Sequence, residues 1–90
     1  MLEILEELVL LARERKNNPV KGSYTNNLLE DKNLAKEKVI EEVNELIKAV
    51  EENSNRTHEA ADVLYHLIIY LEANGIKIEE IMQELVSRKK

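Results

Sequence analysis

Two short acidic patterns in this chain are notable for where they fall. Glu42 and Glu45 are three residues apart, and so are Glu59 and Asp62. On a helix such pairs are surface neighbours. At about 100° per residue, Val39, Val43, Leu46 and Val50 form a narrow apolar arc, with Ile40 and Ile47 to one side. The pattern predicts this arc as a buried stripe, with Glu42 on its other edge and Glu45 further round. Asp62 sits inside the run from Ala60 to Leu71, which is apolar nearly all round and leaves Asp62 no solvated face. If the two segments lie side by side, four carboxylates converge. Like charges in a low-dielectric site repel, and an isolated buried carboxylate is costly. Such a cluster persists only if it is protonated, paired with cations or holding a metal. The donors are hard oxygens, with no Cys and two His in the chain. That chemistry favours Mg²⁺ or Mn²⁺ over zinc.

Each acid also has a plain alternative, a solvated helix face, and Glu51, Glu52, Glu79 and Glu80 are read that way. For the two matched pairs the main rival is a structural ion-pair network with Arg or Lys. His66 is either a base or substrate contact, or a core histidine bonded to Asp62 one turn earlier. Tyr65 and Tyr70 read as packing residues.

The elements that must position these acids are helical. Few aromatic residues (three, all Tyr), two Gly and one Pro leave little for strands or breaks. Leu2, Leu5, Leu8 (or Val9) and Ala12 recur at helical spacing and predict a helix from about Leu2 to Lys16. Asn17-Asn18-Pro19 breaks it. Ser23 or Thr25 could cap a short turn through Leu28 and Leu29. Asn33 is the expected cap of a long helix to about Glu52, and Asn55 of another to about Ala73. Asn74-Gly75 is a C-terminal stop, and a last helix covers about Ile78 to Arg88, poorly capped at Lys77. The short break at Asn53 to Asn55 forces a helical hairpin.

The expectation is a single all-α domain over residues 1–90. It is an antiparallel bundle of four to five helices, completed by homodimerisation because one protomer cannot cover the apolar girth of residues 60–71. Small domains without disulfides often gain stability this way. The net charge of −5, from 18 acidic and 13 basic side chains, argues against a nucleic-acid partner. No apolar run suggests a membrane span, no signal peptide is expected, and the lack of Cys fits the cytoplasm.

Glu41-Glu42-x-x-Glu45, thirteen intervening residues and Glu59-x-x-Asp62 resemble the EExxE…ExxD pattern of the all-α nucleoside triphosphate pyrophosphatases, the group containing MazG and the dimeric dUTPases. Within that group, two further segments resemble phosphoribosyl-ATP pyrophosphohydrolase of histidine biosynthesis. One is Ser23-Tyr24-Thr25 followed by Leu28-Leu29, with Arg15-Lys16 upstream. The other, Glu59-Ala60-Ala61-Asp62-Val63-Leu64-Tyr65-His66-Leu67, is close to that family's ESADLLYHL run. The resemblance spans about residues 5 to 88. It departs at Ile40, where the family usually has Gly, and at Asn44, where an apolar residue is usual.

The resemblance implies a helical dimer that hydrolyses phosphoribosyl-ATP to phosphoribosyl-AMP and pyrophosphate. Its metal ligands would be Glu42, Glu45, Glu59 and Asp62. Glu41 or Glu45 could accept the proton of the attacking water. Lys38, one turn before Glu42, is the cation best placed for phosphate. Arg15, Lys16 and Lys21 flank the Ser23-Tyr24-Thr25 loop, and with His66 these are the candidate substrate contacts. The alternatives are a house-cleaning (d)NTP pyrophosphohydrolase, a non-catalytic dimerisation module held by ion pairs, and a helix-in-groove partner for another protein, which the acids within the apolar run disfavour.

Overall fold

The computed structural model of the chain describes residues 1–89. Among them it has five helices and no strand: α1 (Glu3–Asn17), α2 (Tyr24–Glu30), α3 (Lys32–Glu52), α4 (Arg56–Ala73) and α5 (Ile78–Arg88). The chain is all-α, as its composition predicts. No described helix is long and apolar enough to cross a membrane.

Most boundaries follow from local chemistry. The Ser23 hydroxyl accepts the Asn26 N–H (3.2 Å) and starts α2. Asn53 adopts the left-handed conformation (φ 52°), and the Ser54 N–H reaches back to the Ala49 carbonyl (2.9 Å) to end α3. Gly75 (φ 71°) does the same for α4, with the Ile76 N–H on the Leu71 carbonyl (2.9 Å). Two starts differ from expectation. Asp31, not Asn33, caps α3, because its carboxylate accepts the Leu34 N–H (3.0 Å) from the position just before the first helical residue. Asn55 precedes α4 as expected, but in a left-handed conformation and with no side-chain capping bond.

α3 and α4 form the antiparallel hairpin and share the most extensive contact in the molecule. α1 and α2 pack on α4. Ala12, Leu28, Leu29, Ala35 and Ile69 make the core, flanked by Leu8, Leu34, Tyr65, Tyr70 and Ala73. α5 buries no residue and leaves Met82, Leu85 and Val86 exposed.

The stripe predicted as buried on α3 is only partly covered within one chain: Val39 and Leu46 are half-buried, while Val43 and Val50, and Ile40 and Ile47 beside them, are exposed. The buried face instead runs through Ala35, Glu42 and Ala49, at intervals of seven residues, where small side chains admit close neighbours. On α4, Ile68 and Ile69 are buried while Leu64 and Leu67 are not.

Candidate active site

The hairpin brings the two acidic pairs together. One carboxylate oxygen from each of Glu42, Glu45 and Glu59 lies within 4.8 Å of the other two. A second group, joined through Glu59, contains His58 and Asp62 at the same mutual reach. Glu42 is buried at 8% exposure, an unusual place for a carboxylate. Glu42 Oε2 and Glu59 Oε2 are both buried without a hydrogen-bond partner. Asp62 departs from expectation, since its side chain keeps 37% of its exposure and meets His58 Nε2 at 3.4 Å.

This crowding shifts the acids' titration. Burial raises the Glu42 pKa above its ordinary value, and the charges of Glu45 and Asp62 add to the effect. Burial and the nearby Glu45 carboxylate raise that of Glu59 as well. Neither residue has a Lys or Arg partner among the described residues. Octahedral cations with bonds of about 2.1 Å place donors about 2.9–4.2 Å apart, so small rotations of these side chains would close the cluster around one. An all-oxygen set with two orphaned buried oxygens therefore fits a hard divalent ion.

A hydroxyl-and-imidazole wall adjoins the acids. The His66 Nδ1–H donates to the backbone carbonyl of Asp62 (2.7 Å), and Nε2 accepts the Tyr24 hydroxyl (2.9 Å). His66 is buried and both ring nitrogens are engaged. Thr25 hydrogen-bonds the Tyr65 hydroxyl, and Tyr65 also stands edge-on to His66 (5.0 Å). The charge of Lys38 is felt at Tyr24, while its ammonium lies 3.4 Å from Glu41.

Against this geometry stand the comparisons with known proteins. A sequence profile of phosphoribosyl-ATP pyrophosphohydrolase matches residues 5–89. The phosphoribosyl-ATP pyrophosphatase of Clostridium acetobutylicum is 43% identical, over 96% of this chain and 81% of its own length. That of Methanococcoides burtonii is 38% identical over 98% and 94%. The histidine biosynthesis bifunctional protein HisIE of Pyrococcus furiosus is 41% identical over 99% of this chain and 43% of its own length. The chain belongs to the phosphoribosyl-ATP pyrophosphohydrolase family.

The residues singled out in the sequence divide into three groups. Glu42, Glu45 and Glu59 converge, and Asp62 joins them only through Glu59. Arg15, Ser23, Tyr24, Lys38 and His66 line one flank: Arg15 donates to Ser23 Oγ (2.8 Å), and Ser23 begins the helix that presents Tyr24 to His66. Thr25 is buried beneath them. Lys16 stands apart, bonded to the Glu72 carbonyl (2.8 Å). Glu72 is ten residues beyond Asp62, roughly 15 Å along α4. Glu41 is exposed and paired with Lys38, outside the convergent set.

Sequence reasoning missed two contributors. His58 is signalled by its i, i+4 spacing to Asp62. Asn26 is buried and ties the loop before α2 to α1. Its amide donates to the Arg15 carbonyl (2.8 Å) and its oxygen accepts the Val20 N–H (3.0 Å). No local pattern marks it.

Proposed function

We propose that this chain hydrolyses phosphoribosyl-ATP to phosphoribosyl-AMP and pyrophosphate, the second step of histidine biosynthesis, with Mg²⁺ held by Glu42, Glu45, Glu59 and Asp62. Mn²⁺ would substitute. The observation that carries the reading, beside family membership, is the pair of buried carboxylate oxygens on Glu42 and Glu59 that have no hydrogen-bond partner among the described residues. A structural ion-pair network would have given them cationic partners.

Cleaving a phosphoanhydride requires charge neutralisation, a placed water and a stabilised leaving group. Bound Mg²⁺ supplies neutralisation of phosphate oxygens and a more acidic water. Glu45 or Glu41 takes the proton of the attacking water; Glu45 is favoured by its place in the cluster. Lys38 faces the phosphates by exchanging its exposed partner Glu41 for them. Arg15, Ser23, Tyr24 and His66 orient the nucleotide from the adjoining flank, with Thr25 fixing the wall behind. Lys16 engages the substrate only by leaving Glu72.

We also propose that the protein works in the cytoplasm as a homodimer, in which a second copy covers Ile40, Val43, Ile47 and Val50 of α3 and Leu64 and Leu67 of α4. These side chains form apolar surface that a monomeric protein seldom exposes.

The test is pyrophosphate release from phosphoribosyl-ATP, set against a panel of dNTPs, with Mg²⁺ and with chelator. Release from phosphoribosyl-ATP alone, abolished by chelator, is the expected result. Preferential cleavage of a dNTP would reassign the substrate, and turnover undiminished by chelator would overturn the metal.

A further inference from the structure

The acid cluster lies between two lysines of α3. Lys38 comes one turn before Glu42, and Lys48 one turn after Glu45. The lysines are separated by roughly 15 Å along the helix axis, so one phosphate group cannot meet both. Lys38 is close enough for its charge to act on Tyr24, which places it with the nucleotide flank. Lys48 stands at the opposite end, by the α3–α4 turn. There Glu45, Lys48, Glu52, Ser54, Asn55 and Glu59 line an open cavity of about 290 Å³.

Glu45 and Glu59 also belong to the convergent set, so this cavity opens directly off the acids. Its other walls suit an anion. Lys48 is exposed and has no carboxylate partner among the described residues. Asn55 leaves α4 without a side-chain cap, so the positive end of an 18-residue helix lies at the same turn. The opposing charge is the exposed Glu52, since a divalent ion on the acids would neutralise Glu45 and Glu59.

Phosphoribosyl-ATP is charged in two places: its triphosphate, and a separate monophosphate on the second ribose. Cutting the α–β anhydride at the acids leaves the nucleotide on one side and the β- and γ-phosphates on the other. The Tyr24 flank takes the nucleotide, which leaves the turn cavity for the leaving group.

We propose that the cavity at the α3–α4 turn is the pyrophosphate subsite and that Lys48 binds the β- and γ-phosphates, while Lys38 stays with the nucleotide half. The inference rests on the function proposed above. It fixes the direction of the substrate along the hairpin, with the leaving group toward Asn53–Asn55 and the base and riboses toward α2.

The two products report the two ends separately. Pyrophosphate and phosphoribosyl-AMP are each titrated into the Mg²⁺-loaded protein by calorimetry. Lys48→Ala should weaken pyrophosphate about tenfold, the scale of one lost charge-assisted hydrogen bond, and leave phosphoribosyl-AMP within about twofold. Lys48→Arg should recover most of the loss, because it restores the charge. Lys38→Ala should show the reverse pattern, weakening phosphoribosyl-AMP alone. Lys48 is exposed, so its variants should melt like the wild type. A Lys48→Ala protein that loses phosphoribosyl-AMP instead would reverse the direction. Unchanged pyrophosphate affinity, or an equal loss for both products, would remove Lys48 from the subsite. Each of these overturns the inference and leaves the hydrolysis standing. A wild type that neither binds a product nor turns over phosphoribosyl-ATP would overturn the function proposed above and the subsite with it.

Discussion

α4 carries a glutamate near each end, and the two meet opposite fates. Glu59, with Glu42 of α3 facing it, is crowded by acids and has no Lys or Arg partner among the described residues. Glu72, 5% exposed, is gripped by Arg13, whose guanidinium meets both of its oxygens and also reaches Glu79 of α5 at 2.6 Å. Lys16 adds a longer contact at 3.9 Å. Glu79, in turn, is held down to a pKa of about 2, chiefly by its hydrogen bond from Arg13. Both Glu42 and Glu72 are buried, so burial alone does not distinguish a structural acid from a functional one. Neutralisation does. The Arg13 network already balances its charge and ties α5 to the body, whereas Glu42 and Glu59, between α3 and α4, have no Lys or Arg partner among the described residues.

The largest contrast should appear in turnover. Glu42→Ala and Asp62→Ala should each lower kcat by about 10³-fold or more, since metal ligands support several kcal/mol of transition-state stabilisation. Both variants should fold, and Glu42→Ala should melt at or above the wild-type temperature without metal, because a repelling charge has gone. Glu79→Ala should retain turnover within about threefold, as it lies far from the reacting groups. Near wild-type activity in Glu42→Ala or Asp62→Ala would remove that residue from the metal shell.

Melting temperature should reverse the order. Arg13→Ala leaves Glu72 buried with only the longer Lys16 contact, and one-sided removal from a buried pair is strongly destabilising. Arg13 is itself partly exposed, so solvent softens the loss. A fall of several degrees is expected, larger than that of Glu79→Ala, with turnover retained. A melting curve unchanged in Arg13→Ala would mean that α5 is held by something other than this fork.

The two regions should also pull stability in opposite directions as pH changes. Glu42 and Glu59 have raised folded pKa values, so the stability associated with their neutral forms is complete below their unfolded values and is lost as pH rises through the folded ones. Glu79 is the reverse. Its contribution is present above the unfolded value of 4.5 and is lost as pH falls toward about 2. Without metal, the melting temperature should peak in the mildly acidic range between these windows. Saturating Mg²⁺ should raise the neutral-pH side, because it binds the ionised carboxylates. A metal-free curve that rises steadily to neutral pH would show that the cluster does not carry its repulsion.

How much of this the sequence disclosed follows the range of each interaction. The breaks at Asn53–Asn55 and Asn74–Gly75 are local, and the chain turns there. The i, i+3 acid pairs are local too, and the short hairpin leaves them little choice but to meet. Asp31 displaced Asn33 because either side chain can cap and only backbone geometry selects between them. The α3 stripe was misplaced for a different reason. A helical wheel equates apolar with buried, yet Ala35 and Ala49 lie on the covered face while Ile40, Val43, Ile47 and Val50 are left outward. The Arg13–Glu72 pair spans 59 residues, and neither end carries a local signal of the other.

The smallest effect separates the wall of the site from its floor. Tyr24 is 46% exposed, and its hydroxyl bonds His66 Nε2 at 2.9 Å. Tyr24→Phe keeps the ring beside Tyr65 and removes only that oxygen. A neutral hydrogen bond of this kind contributes about 0.5–1.5 kcal/mol, and water can reach the vacated nitrogen. The melting temperature should therefore shift by no more than a few degrees. If Tyr24 and His66 orient the nucleotide, KM should rise by about three- to tenfold while Mn²⁺ and Mg²⁺ affinities stay unchanged. A change in metal affinity would instead connect the hydroxyl, through the His66 bond to the Asp62 carbonyl, to the placement of the Asp62 carboxylate. Unaltered KM and kcat would remove Tyr24 from substrate recognition and leave it as packing.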